Sequence, residues 1–545
     1  MRSRSVFSLI GSAFIYLLTA IAANAQVPPP PPTVLDVGPG GCIASDEICG
    51  DGIDQDCNGS DVSCPGGDSD RDGYLSGADC DDSNRNIFPG IAVPCSAGCG
   101  QGSRTCQANG AFTSCTCANL CEATGSGRCF YISSQTGSDS NPGTYAAPWK
   151  TYRNINYYEG GVGAPSTRVT LQAGDVVYFL SGVYRDTLQY NGRGRGLVIR
   201  LINGTSSAPV VFKAYPGAHP VFWPGSPADG IYIIQSSHIR VEGIEVTGAY
   251  GAGVNLAEAS NVELVNLWVH DTDGNDDNNI AGVYFLGTQN SSLHHSLIHD
   301  NYDRLSPKSE NSRNIVLFGG GNVRIHHNEI FQTPPTSAAK TGSCITHKHS
   351  QNVSGAFFEV DHNILRNCFQ HAIGSGSYGT RIHHNLIIDS DPIELRDFGG
   401  PTYHQDVVIE YNTFVRGAGL KYNPSTTWAP LGPVTFRRNV VWDNGSYGQE
   451  RGIVTIGTYQ SDSLYNLVLP TLSFSQNCYY NSGSSPAFAF FAANGGAYGS
   501  QGGVYSFSQW RNFNFDTNSA TSDPGLDSNF IAQAGACAAN GWNAP

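Results

Sequence analysis

Four charged side chains, Lys348, Glu394, Arg396 and Lys421, fall on one face of a repeated strand when the chain is aligned to itself. A cation beside a sugar carboxylate makes the neighbouring C5 proton acidic, and a lysine or arginine can then remove it. Positive neighbours would lower the Lys348 pKa toward that of a usable base. The set therefore suits β-elimination from a uronate polymer. An ordinary ladder of ion pairs, Glu394 with Lys421 or Arg396, would look the same in sequence.

A second set of residues suits a hard cation. Asp68-x-Asp70-x-Asp72-Gly73 opens a loop whose twelfth position is Asp79, followed by Cys80, Asp81 and Asp82. Alternate side chains of a tight loop converge on one point, Gly permits the turn and the twelfth residue closes an oxygen shell. Asp54-x-Asp56-x-Asn58-Gly59-x-Asp61 repeats the opening without an acid at its twelfth position. A structural Ca2+ is the cofactor expected; a solvated acidic linker is the bland alternative. From Asp36 to Arg85 thirteen acids stand against Arg71 and Arg85, so this stretch carries 2 − 13 = −11 of the chain's −15.

Histidines supply a third set. His295, His327, His362 and His384 form one column of the repeat, and His294, His326, Asp361 and His383 form the column before it. Strand alternation predicts the first column inward and the second outward. His326, Asp361 and His383 could then hold a transition metal or act as acid and base, although stacking at a corner explains the pattern as well. The loop from His270 to Asn279 could bind calcium or sugar. Trp268, Tyr284, Tyr302 and Trp428 could stack on sugars.

These residues are carried by a repeat. VRIHHNEI, FEVDHNIL, TRIHHNLI, VVIEYNTF, VTFRRNVV and LSFSQNCY place Asn328, Asn363, Asn385, Asn412, Asn439 and Asn477 in one column, with Ile244, Leu267 and Ser296 in three earlier copies. The positions three before and two after that column are apolar or aromatic in every copy. Short strands, one fixed corner and a coil of 22 residues or more describe a parallel β-solenoid, whose inward residues stack at ~4.8 Å. A second strand aligns through Val283, Ile315, Ile345, Ile373, Ile393, Leu420 and Ile453, read as inward. Its outward neighbours are Tyr284, Val316, Thr346, Gly374, Glu394, Lys421 and Val454, and then Leu286, Phe318, Lys348, Gly376, Arg396, Asn423 and Ile456. That face is expected to be open to solvent. Residues 129–235 and 485–545 are expected to cap the ends.

Composition limits the rest. The chain has 545 residues, 14% charged, with 65 Gly and 16 Cys. Its negative charge argues against nucleic acid or an anionic membrane as the main partner. Arg2 and Arg4, the apolar run Val6 to Ala23 and Ala23-Asn24-Ala25 read as a signal peptide over 1–25, an uncleaved anchor being the alternative, with no membrane span after cleavage. A Pro-rich linker follows over 26–41, then an acidic Cys-rich cation-binding module at 42–92, a Cys-rich disulfide module at 93–128 and the solenoid at 129–545. Twelve cysteines between Cys42 and Cys129 fit disulfides better than zinc, because no histidine lies there. Cys344 with Cys368, and Cys478 with Cys537, are proposed bridges within the solenoid. A secreted or cell-surface protein is expected, acting as a single chain.

The solenoid resembles the right-handed parallel β-helix superfamily of pectate-lyase-like proteins. CFYISSQTGSDSNPGTYAAPWKTYRNI with AGDVVYFLSGVYRD looks like its opening segment, and FSQWRNFNFDTNSATSDPGL like its closing one. The resemblance implies an all-β, right-handed parallel β-helix and a range of activities from polysaccharide lyases to adhesins. Lyases of that superfamily use lysines or arginines as bases, sometimes with calcium. The polygalacturonase pattern is incomplete, since Gly-His-Gly and Arg-Ile-Lys are absent and Asp276-Asp277 sits in a loop insertion. EICGDGIDQDCNGSD and DSDRDGYLSGADCDDSNRNIFPG are similar to metal-binding repeats of secreted bacterial proteins and of thrombospondin type 3. That similarity implies cation ligands at Asp54, Asp56, Asn58, Asp61, Asp68, Asp70, Asp72, Asp79, Asp81 and Asp82. Two functions therefore stand: a protein acting on acidic polysaccharide by β-elimination, or a non-catalytic surface or adhesion protein that binds glycan or protein.

Overall fold

The computed structural model describes residues 74–84, 87–97, 100–115, 121–225, 228–274, 280–301, 312–333, 342–348, 357–376, 378–396, 405–423, 432–442, 452–458, 468–482, 485–492 and 503–542. The expected signal peptide, the linker and Asp54, Asp56, Asn58, Asp61, Asp68, Asp70 and Asp72 lie outside them, as do Tyr302, Asp276, Asp277 and Trp428. No helix among the described residues is long and apolar enough to cross a membrane.

Three long sheets of 13, 12 and 11 strands wind into a right-handed parallel β-helix. Each coil takes one strand from the 12-stranded sheet, turns a corner into the 11-stranded sheet, and then crosses to the 13-stranded sheet. The strands are short, with Val, Ile, Leu and Phe stacked on their counterparts one coil away, as in Ile382↔Ile409 and Ile409↔Phe436. This continuous apolar column is the core. Parallel pairing already begins with Cys129–Ile132 against Val176–Phe179, so much of the stretch read as an N-terminal cap is solenoid. At the other end the antiparallel strand Gly503–Ser506 and helix Phe507–Arg511 close the stack. The fully buried Trp510 plugs the core against Phe474, Phe488 and Phe515.

One corner explains the histidines. In nine coils the residue before the ladder position is left-handed: Gly243, Asn266, His295, His327, His362, His384, Tyr411, Arg438 and Gln476, with φ between 49° and 68°. A single left-handed residue bends the strand sharply and interrupts its alternation. The next residue then points inward. Asn328, Asn363, Asn385, Asn412, Asn439 and Asn477 are buried, and each side-chain amide donates to a backbone carbonyl of the preceding coil, for example Asn385 Nδ2 to Val360 O at 2.9 Å. Each Oδ1 accepts the backbone N–H of the ladder residue before it, as Asn412 Oδ1 does from Asn385 at 3.0 Å. The column of His295, His327, His362 and His384 therefore lies outward and half-buried at the corner, not inward as alternation predicts.

Another corner, entering the 13-stranded sheet, places two consecutive residues inward. Asn314 and Ile315, Cys344 and Ile345, and Ala372 and Ile373 are such pairs, all buried. Ile453 and Val454 form another, and Val454, not Ile453, pairs with Leu420. The expected register was therefore one residue early in that coil: Val454 and Ile456 belong to the core and Thr455 faces outward.

Disulfides join Cys344 to Cys368 and Cys478 to Cys537, the bridges suggested by spacing. Near the N-terminus Cys80 pairs with Cys106, Cys95 with Cys115, and Cys121 with Cys129. With the hairpin Ala92–Ala97 and Gly100–Thr105, these bridges tie the acidic stretch to the segment after it.

Candidate functional site

The outward face of the 13-stranded sheet carries the four charged residues of the sequence reading. Lys348 ends strand Ser343–Lys348, Glu394 and Arg396 lie on Ile393–Arg396, and Lys421 lies on Leu420–Asn423. Strand Ile373–Ser375 runs between the first and second of these, so Lys348 and Arg396 are two coils apart. The residues facing them from that intervening coil are Gly374 and Gly376, which contribute no side chain.

This face is not open to solvent as expected. Lys348 is 7% exposed and Glu394 2%, while the Arg396 and Lys421 side chains are 32% and 20% exposed. The charges occupy a recess, in which each ionic contact is stronger than at a surface.

Burial decides the protonation of Lys348. Removal from water lowers its pKa, the Arg313 and Arg396 guanidinium groups lower it further, and the result is about 7. A lysine so placed is partly neutral at physiological pH, the state in which its Nζ can accept a proton.

Glu394 is the hub. Asn423 Nδ2 donates to its Oε1 at 3.0 Å, Lys421 Nζ stands 3.5 Å from the same oxygen, Arg396 NH1 lies 3.7 Å from Oε2 and His371 Nδ1 3.5 Å from Oε2. Burial works to raise its pKa, but His371, Arg396 and Lys421 outweigh it and hold the group down at about 2. The ion-pair ladder is therefore present, and Glu394 is a fixed anion that positions cations. His371 is fully buried; that burial lowers its pKa to about 4 despite the carboxylate beside it. Its Nε2 lies 2.7 Å from Thr346 Oγ1, so Thr346, neutral His371 and ionised Glu394 form a connected line across three coils. With Glu394 ionised, Arg313, Arg396 and Lys421 leave the recess net positive in a chain of net −15.

Arg313, His371 and Asn423 were not singled out from sequence as site residues. Arg313 and His371 precede the corner at which two successive residues turn inward, so simple alternation gives them the wrong face. Asn423 does fall on the outward column that alternation identifies.

The corner histidines form a second constellation. His295, His327, His362, His384 and Tyr411 stack in sequence with ring centroids 4.8–5.1 Å apart. Tyr74 stacks on His295 at 5.2 Å and on Phe88 at 5.5 Å, which joins the N-terminal unit to this row. Asp361 is fully buried, held by Arg324 through Nε at 2.7 Å and NH2 at 2.6 Å, and by His362 Nδ1 at 2.8 Å. His383 pairs with Glu359 at 3.0 Å.

Of the expected calcium ligands, Asp79, Asp81 and Asp82 are described. Asp79 is 5% exposed; its Oδ1 accepts the Asp81 N–H at 3.0 Å, and its buried Oδ2 has no hydrogen-bond partner among the described residues. Burial and the nearby Asp82 and Asp81 raise its pKa, against backbone hydrogen bonds that lower it. A buried carboxylate oxygen of this kind fits the closing position of a cation loop. Asp81 Oδ1 is engaged by Ser83 Oγ at 2.7 Å.

Residues 229–388 match the family described as "Right handed beta helix region". No curated protein matches the chain. Among solved structures, the chain is similar to pectate lyase Pel9A (16% identity, 60% of this chain and 79% of that chain, TM-score 0.39). It is also similar to a mannuronic acid specific polysaccharide family 6 lyase from human gut microbiota (16% identity, 73% and 92%, TM-score 0.43). A third is the GH136 lacto-N-biosidase from Eubacterium ramulus (14% identity, TM-score 0.31), for which the match spans 61% of this chain and 64% of that one.

Proposed function

We propose that the protein is a secreted β-helix that acts on acidic polysaccharide by β-elimination, with the recess around Lys348 as its site. The observation that carries this reading is a buried lysine whose pKa is brought to about 7 between two guanidinium groups. Neutral Lys348 takes the C5 proton of a uronate. Arg396, with Arg313 and Lys421, stabilises the carboxylate as charge develops on it. The C5–H electrons form the C4=C5 double bond, the C4–O bond breaks, and the departing oxygen takes a proton from water. Glu394 does not react; with His371 and Asn423 it holds Arg396 and Lys421 in place.

A structural Ca2+ in the N-terminal unit completes the proposal. Asp79, with Asp68, Asp70 and Asp72 from the same loop, would hold it, and the second array from Asp54 to Asp61 would hold another. Such an ion would stabilise a stretch too polar to form a core. Secretion rests on the disulfides together with the N-terminal apolar run.

The test is the ultraviolet absorbance of unsaturated uronates, followed on pectate, alginate, chondroitin and heparan with wild type and Lys348→Met. A rise that the variant lacks supports the proposal. A flat wild-type trace on every polymer favours a binding solenoid.

A further inference from the structure

Building on the elimination reading of the recess, we propose that the polymer cleaved there is a sparsely charged heteropolysaccharide. The uronate at Lys348 would be flanked on one side by at least two uncharged sugars, lying on Tyr284, Leu286 and Phe318. One column of the 13-stranded sheet carries this inference. Arg200, Ile234, Ala257, Leu286, Phe318 and Lys348 pair in register, one from each coil, so four apolar residues separate two cations. On the other side of Lys348 the same face holds Arg396 and Asn423, with Glu394 and Lys421 beside them. The recess is therefore charged on one side of Lys348 and apolar on the other.

Strands Ala252–Ala257, Ile280–Leu286 and Ser312–Phe318 contain one charged residue, Arg313, which is 1% exposed. Leu256, Phe285 and Leu317 point into the core, and their neighbours Tyr284, Leu286 and Phe318 point outward. Leu286 is 37% exposed and the two rings are half-buried, so the strip is accessible. Aromatic and branched apolar side chains suit the C–H faces of sugar rings. A carboxylate withdrawn from water on them finds no counter-charge, which is costly. Glu258, just past the first strand, accepts from Gln235 Nε2 at 3.0 Å, and its charge would repel an acidic sugar. A sugar residue in an extended chain spans roughly one coil, so two or three lie across these strands. In an extended 1,4-linked chain, alternate residues turn their substituents to opposite sides. A uronate homopolymer therefore aims at least one carboxylate at the strip, and so does a polymer that alternates uronate with neutral sugar. A polymer with one uronate in a longer repeat does not.

The experiment compares octasaccharides of deacylated gellan, whose four-sugar repeat holds one uronate, with octasaccharides of alginate, in which every sugar is a uronate. Binding is read by calorimetry on the full chain carrying Lys348→Met, which lacks the base, and on the same chain with Leu286→Arg added. Elimination by wild type is read separately by ultraviolet absorbance. The gellan fragment should bind at least tenfold more tightly than the alginate fragment. Leu286→Arg should narrow that ratio about tenfold, by giving an acidic sugar a counter-charge on the strip. Leu286 is exposed, so the variant keeps the fold, which circular dichroism checks. Alginate bound as tightly as gellan, or a ratio that the folded Leu286→Arg chain leaves unchanged, would overturn the inference. A gellan preference without unsaturated product would support the strip and overturn the elimination reading alone.

Discussion

Lys348 and Arg396 stand two coils apart on one outward column, separated by a coil whose facing residues are glycines. A pair of cations withdrawn from water is costly to a fold. The molecule lowers this cost by letting Lys348 shed its proton and by anchoring Arg396 to Glu394. Such a group destabilises the protein in its charged form and is useful in its neutral form.

Lys348 should therefore set opposite trends in stability and activity. Its folded pKa of about 7 lies below the ordinary 10.5, so the unfolded chain binds the extra proton between those values. Stability contributed at this position rises with pH across that window, and the penalty is full below pH 7. Lys348→Met should raise stability at pH 6 by about 1–3 kcal/mol, shrinking toward pH 10, as read by denaturant melts. Elimination by the wild type should increase as pH passes through 7.

Glu394→Gln should be among the most damaging single changes. It removes the anion from Lys421 and Arg396, both partly buried, at a cost of about 3–5 kcal/mol. The wild-type contribution is present above the ordinary carboxylate pKa of 4.5 and is lost as pH falls toward about 2. Acid titration of stability between pH 4.5 and 2 should be shallower in the variant.

Asn385→Ala tests the ladder. The amide serves Val360 O and Asn412 Oδ1 and accepts the Asn363 N–H, all buried. Orphaning these groups should cost about 2–4 kcal/mol. Chemical denaturation would check it, and Asn385→Asp should not rescue.

The fold was legible because its signals are periodic: the asparagine column and the flanking aliphatic positions recur in coil after coil. The site was legible only in outline. Lys348, Glu394, Arg396 and Lys421 do share one face, yet their burial depends on coverage that alternation does not encode. The histidine column was assigned inward because one left-handed residue per corner reverses the alternation locally. Arg313 and His371 were missed, and Val454 misplaced, because the other corner turns two successive residues inward. Both errors arise where strands bend.

Calcium should matter to the N-terminal unit and not to the β-helix. Chelation should expose residues 42–92 to protease while leaving the helix melting transition in place. Asp79→Asn should reproduce that exposure even in calcium, because Asp79 Oδ2 would supply the closing ligand. Limited proteolysis read by mass spectrometry distinguishes the two.

The most direct measurement is ultraviolet absorbance of the purified chain on acidic polysaccharides, at pH 8 and at pH 6, beside Lys348→Met. Unsaturated uronate should accumulate on at least one polymer, faster at pH 8 and not at all in the folded variant. Unsaturated product formed equally by Lys348→Met, or none formed by folded wild type on any uronate polymer, would contradict it.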